Sequence, residues 1–71
     1  METIRHIYRV DRSEIGYLRM IIESYDGMAV MRTIDPDEAS VAFHVSPGCE
    51  SQFFELLKSL RDRDEAKLEK I

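Results

Sequence analysis

The stretch YDGMAVMRTIDPDEASVAFHVSPG, residues 25–48, decides the fold, because it reads as a β-hairpin fastened to helices by glycine at both ends. Residues 28–34 and 40–46 are rich in β-branched, aromatic and sulfur side chains, and Asp35-Pro36-Asp37-Glu38-Ala39 between them carries turn chemistry. Along the second strand Val41, Phe43 and Val45 fall on one face, and Ala42, His44 and Ser46 on the other. That period of two is the pattern of a sheet buried on one side. The hairpin therefore needs helices to cover one face.

Upstream, residues 3–10 (TIRHIYRV) alternate, with Ile4, His6, Tyr8 and Val10 on the face expected to join the core and Arg5, Ile7 and Arg9 on the other. Asp11 follows as an N-cap, with Glu14 three residues later completing a capping box and Ser13 as the competing cap. From residue 12 to 26, Ile15, Leu18, Ile22 and Tyr25 make an apolar stripe that Ile21 widens. Gly16 lies inside this helix, where a missing side chain suggests close approach of a strand or partner, and Gly27 fits the left-handed position that ends a helix.

Downstream, Pro47-Gly48 breaks the hairpin, and a second helix starts near Cys49 or Glu50 with Phe53, Leu56, Leu57 and Leu60 as its stripe. Residues 61–71 (RDRDEAKLEKI) are polar, and the pairs Lys58/Asp62 and Arg61/Glu65 suit a solvated helical extension. Residues 1–71 thus read as one small α+β domain of order β-α-β-β-α. A right-handed crossover makes the first two strands parallel, with the third antiparallel between them. The expected sheet has three strands in order 1-3-2, both helices on one face, and no fourth strand.

Composition narrows the function. With 10 Lys and Arg against 14 Asp and Glu, the net charge is -4, and the basic residues are scattered. A surface that displaces counterions from nucleic acid needs them clustered, so no nucleic-acid partner is expected. The lone Cys49 cannot close an intramolecular disulfide, and residues 1–10 hold no apolar leader, so a cytoplasmic location is expected. No apolar run reaches the roughly 18 residues of a membrane span, and no membrane partner is expected.

The chemical inventory is thin. His6 and His44 fall on opposite sheet faces by strand parity, so they do not share a metal. Cys49 opens a helix, which lowers a thiol's pKa, but Glu50 opposes that shift and no base stands beside it in sequence. Asp35, Asp37 and Glu38 are explained by turn preference, with no glycine-punctuated calcium loop around them. Tyr8 and Phe43 are the aromatics an RNA-binding sheet would expose, yet parity sends them to the core. No catalytic triad, phosphate-cradling loop, cofactor site or metal site is assembled by these residues.

Val10-Asp11-Arg12, Gly16-Tyr17-Leu18 and Tyr25-Asp26-Gly27, in this order of elements, resemble a shortened ferredoxin-like domain, and more particularly the ACT domains, small regulatory modules that bind metabolites at subunit interfaces. The pattern also resembles that of short bacterial proteins, a likeness that implies no activity. The ACT resemblance implies a non-enzymatic regulatory module, with Asp11 and Arg12 binding a small-molecule effector and Gly16 as the point of close approach. Without a fourth strand the first strand would be an open edge, which invites pairing. A homodimer is therefore expected, with Arg5, Ile7, Arg9, Met31, Ala42 and His44 at its interface and Ala29 beside Met31 on the bare face. Two further readings are an adaptor docking a protein partner on the helix from residue 49 to 71, and an RNA-binding module.

Overall fold

The hairpin forms as the sequence expects. In the computed structural model, which describes residues 3–71, strand β2 (Ala29–Asp35) pairs antiparallel with β3 (Ser40–Val45). The turn between them is held by the Asp35 carboxylate, whose Oδ1 accepts from the backbone N–H of Asp37 at 3.0 Å. A register shift between Thr33 and Asp35 marks a bulge at this end of β2. Strand β1 (Ile4–Val10) pairs with the other side of β3, so β1 and β2 are parallel neighbours of a shared central strand.

Helix α1 (Ile15–Ser24) and helix α2 (Glu50–Arg63) both cover one face of the sheet. Leu18 and Ile22 from α1 and Phe53, Leu57 and Leu60 from α2 are buried with Tyr8, Met31, Val41, Phe43 and Val45 from the strands. Phe43 is the pivot: its ring centroid lies 5.3 Å from that of Phe53 and 5.7 Å from that of Tyr8. Offset and edge contacts of this kind add about 1 kcal/mol to the burial of the rings themselves. The two helices are tied at their far ends by Tyr17, whose hydroxyl donates to Asp64 Oδ2 at 3.0 Å. That bond, ahead of the nearby negative charge, holds the Tyr17 phenol above its ordinary pKa.

The C-terminal segment departs from expectation. Residues 61–71 do not continue as helix: α2 ends at Arg63, Glu65 takes a positive φ of 53°, and Leu68–Lys70 forms a fourth strand, β4, antiparallel to β1. The sheet is four-stranded in the order β2-β3-β1-β4. The physical reason is apolar burial at two small intervals in a polar text, for Ala66 and Leu68 both join the core. Arg61 then fixes the return, its Nη2 donating to the Leu68 carbonyl. Neither Lys58/Asp62 nor Arg61/Glu65 is an ion pair among the described residues. It follows that β1 is closed over its second half, since β4 pairs with Tyr8–Val10 and the Ile71 N–H donates to the Ile7 carbonyl at 3.1 Å.

Two smaller corrections concern β1 and β2. Ile4 stands on the helix-side face but is 42% exposed, beyond the reach of α2. Met31 and Ala29, expected on the bare face, are buried in the core. The pairings Met31↔Phe43 and Ala29↔Val45 put them under the helices, so Val30 and Arg32 face outward instead. The opposite parity would have driven the Arg32 guanidinium into the apolar layer, which costs far more than burying Ala29 in place of Val30 gains.

Candidate functional site

The first loop is a locally satisfied turn. Asp11 is exposed and caps a single 3-10 turn, Arg12–Glu14, its Oδ1 accepting from the Ser13 N–H at 2.9 Å and from Ser13 Oγ at 2.7 Å. These bonds, the side-chain one first, hold the Asp11 carboxyl below its ordinary value. The expected capping box with Glu14 does not form: the Asp11 side chain caps through Ser13 alone, and the Glu14 N–H bonds the Asp11 backbone carbonyl. Arg12 is exposed beside it. Gly16 is not a point of close approach: a Cβ built on it meets nothing within 4 Å, so the glycine is open to solvent at the start of α1. Asp11 and Arg12 are both exposed, adjacent in the chain, and Asp11 is bonded to Ser13.

His6 and Cys49 sit at the helix-covered end of β1. The His6 ring stacks on Phe53 with centroids 5.6 Å apart and meets Phe54 edge-on at 5.2 Å. Its Nε2 is buried, lacks a hydrogen-bond partner among the described residues, and lies 3.5 Å from Glu50 Oε2. Cys49 is a free thiol, half-buried against the core at the N-cap of α2. Among the described residues no three His, Cys, Asp or Glu side chains gather closely enough for a metal ion.

The other face of the sheet is where unsatisfied surface accumulates. Ladder pairing sets it out in rows: Arg5, His44 and Val30 across the first, then Ile7, Ala42 and Arg32, then Arg9 and Ser40, with Glu69 of β4 beside Arg9 and Asp35, past the bulge of β2, paired with Ser40. Of the residues expected at an interface, Arg5, Ile7, Arg9, Ala42 and His44 do share this face, and Met31 does not. Ala42 is nearly inaccessible although no helix covers it, because its cross-strand neighbours Ile7 and Arg32 are larger and flank it. Val30 and Ile34 are about half exposed, at 53% and 51%. Over this floor lies a shallow concavity of about 520 Å3 lined by Val30, Arg32 and His44.

Val30 and Arg32 are the members that sequence reading missed. The signal was present in Arg32 itself, since a charged residue in mid-strand assigns the parity of a strand whose apolar residues fall on both faces. A smaller recess of about 240 Å3 adjoins the first through Val30 and His44 and ends at Glu23, Tyr25 and Asp26 beyond α1.

No helix of the described residues is long and apolar enough to cross a membrane. Comparison with curated proteins and with solved structures finds no match. A family model does match, over residues 8–63, from the middle of β1 to the last residue of α2, and leaves β4 outside its span. The chain belongs to the family described as a domain of unknown function, DUF4911.

Proposed function

We infer that this chain is a non-enzymatic regulatory module of ferredoxin-like, ACT-like type, which works by binding on a bare sheet face and by pairing with a second copy of itself. The observation that carries the reading is the one-sided sheet: both helices lie on the Phe43 face, while Val30, Arg32 and His44 are left around a concavity on the other. The fold alone assigns no chemistry, so the reading rests on this exposed concavity.

The strand after α2 supports the ACT likeness, because ACT domains carry a closing strand in that place and this chain has β4 there. The absence of any assembled nucleophile, base and orienting acid in the sequence supports binding over turnover. Ligand recognition at Asp11, Arg12 and Gly16 has less support than recognition on the sheet face, since the Asp11 carboxylate is bonded within its own loop and nothing packs against Gly16.

A thermal-shift panel of nucleotides, amino acids and carboxylic acids tests the reading. A ligand at one hundred times its Kd stabilises the native state by about 2.7 kcal/mol, which is on the order of ten degrees or more in a domain of this size. At least one class should raise the midpoint, and sedimentation should show dimer at tens of micromolar. A flat panel together with a strict monomer overturns it.

A further inference from the structure

We propose that the bare sheet face is an oxyanion site: Arg5 and Arg32, on either side of His44, bind a small molecule carrying phosphate or carboxylate groups, with its apolar part over Val30. The inference rests on the reading of this face as the working surface and names the chemistry that surface takes.

The charges of this face are the first ground. The chain has a net charge of -4, yet the first two rows of the bare face carry two arginines and no carboxylate. Ion pairing is confined to the third row, where Arg9 Nη2 lies 3.7 Å from Glu38 Oε2 and Glu69 stands beside it. Arg5 and Arg32 have no carboxylate within ion-pair distance among the described residues. Two unneutralised guanidiniums near one another on an acidic protein are complementary to an external anion.

The geometry is the second ground. Arg5 and Arg32 flank β3 one row apart, which sets their backbones about 12 Å from each other at ordinary strand spacing. Arginine side chains of roughly 6 Å reach can converge from there on one group, and a guanidinium offers paired N–H donors that match a carboxylate or phosphate edge. His44 lies between them in the first row and adds an imidazole to the donors. The hollow is lined by Val30, Arg32 and His44, with Arg5 across β3 from it, and its volume of about 520 Å3 is within the range that small-molecule sites occupy.

The far end of the surface sets an orientation. Beyond Val30 the adjoining recess is lined by Glu23 and Asp26, which repel a second anionic group. The ligand therefore carries its negative charge at one end, over Arg32, and a neutral or apolar body toward Val30.

The test is a titration of the full chain with inorganic pyrophosphate and, separately, citrate, followed by backbone amide shifts in NMR at constant ionic strength. Saturable shifts centred on Arg32, Ala42 and His44 are expected, with pyrophosphate favoured for a phosphate ligand and citrate for a carboxylate one. Arg32→Gln should weaken binding at least tenfold, and Arg5→Gln severalfold. Both positions are exposed, so the variants fold. Shifts that do not saturate, that centre elsewhere, or that persist unchanged in both variants overturn the proposal, as does coverage of the Val30 methyls and the His44 ring by a second copy without added anion, read from their side-chain signals. Loss of the anion site with a surviving dimer, or with a neutral ligand found in the thermal panel, leaves the regulatory reading standing.

Discussion

Two glycines show how far a single residue's reading extends. Gly27 has a φ of +73° in the turn between α1 and β2, with open space where a Cβ would go. It does not itself end the helix, whose C-cap is Tyr25, but it supplies the left-handed conformation two residues later. Gly27→Ala should therefore cost about 1 kcal/mol through backbone strain alone. Gly16 meets equally open space in ordinary helical geometry, so Gly16→Ala should stabilise by about 0.5–1 kcal/mol through the entropy of the unfolded chain. The urea midpoints of the two variants should move in opposite directions, and a loss of stability in the second would mean that Gly16 is a contact point after all. Asp11 gives a pH signature at the same scale. Its carboxyl is depressed in the folded state, so its contribution is present above the unfolded value near 3.8 and disappears as pH falls through the lower folded value. The gap in urea midpoint between the native chain and Asp11→Ala should shrink from pH 6 to pH 2.5, and a constant gap contradicts the Ser13 bonds as its cause.

Elements whose pattern has one solution were legible, and those with two were not. In β3 the alternation of Val41, Phe43 and Val45 against Ala42 and His44 left one choice, and these three residues are fully buried. In and just before β2 apolar residues stand at Met28, Ala29, Val30, Met31 and Ile34, and only the charge of Arg32 breaks the tie. The tail was harder, because β4 has three residues and its sequence, Leu68-Glu69-Lys70, carries helix formers. Tertiary burial overrides that propensity: Leu68 is 6% exposed opposite Val10, and the preceding turn needs Glu65 at positive φ, which no sequence rule signals for glutamate. Leu68→Ala should therefore destabilise by about 2 kcal/mol or more, within the range for emptying a buried leucine site. A frayed helical tail would leave the guanidinium chloride midpoint unmoved, so this one measurement separates strand from extension.

At the scale of the whole molecule, β4 closes part of one sheet edge, and this bears on where the proposed pairing with a second copy would occur. With β4 on β1, the long unpaired edge is β2, seven residues at the end of the order β2-β3-β1-β4. Exposed edges of this length pair with other chains unless something blunts them, and here the bulge near Thr33 and the charge of Arg32 are the blunting features. A two-fold dimer of antiparallel β2 strands would centre on residue 32 and set the two Arg32 side chains opposite each other, where like charges repel. The bare face stays open in this arrangement, so an anion and a second copy do not compete for the same surface. Two consequences can be measured by sedimentation. The dimer should strengthen as ionic strength rises from about 20 to 200 mM, because the Debye length shortens from roughly 20 to 7 Å and screens the repulsion. Arg32→Gln should tighten the dimer severalfold at low salt while weakening anion binding, two effects of opposite sign from one substitution. A dimer that loosens in Arg32→Gln, or that dissociates with added salt, places the contact elsewhere than the β2 edge.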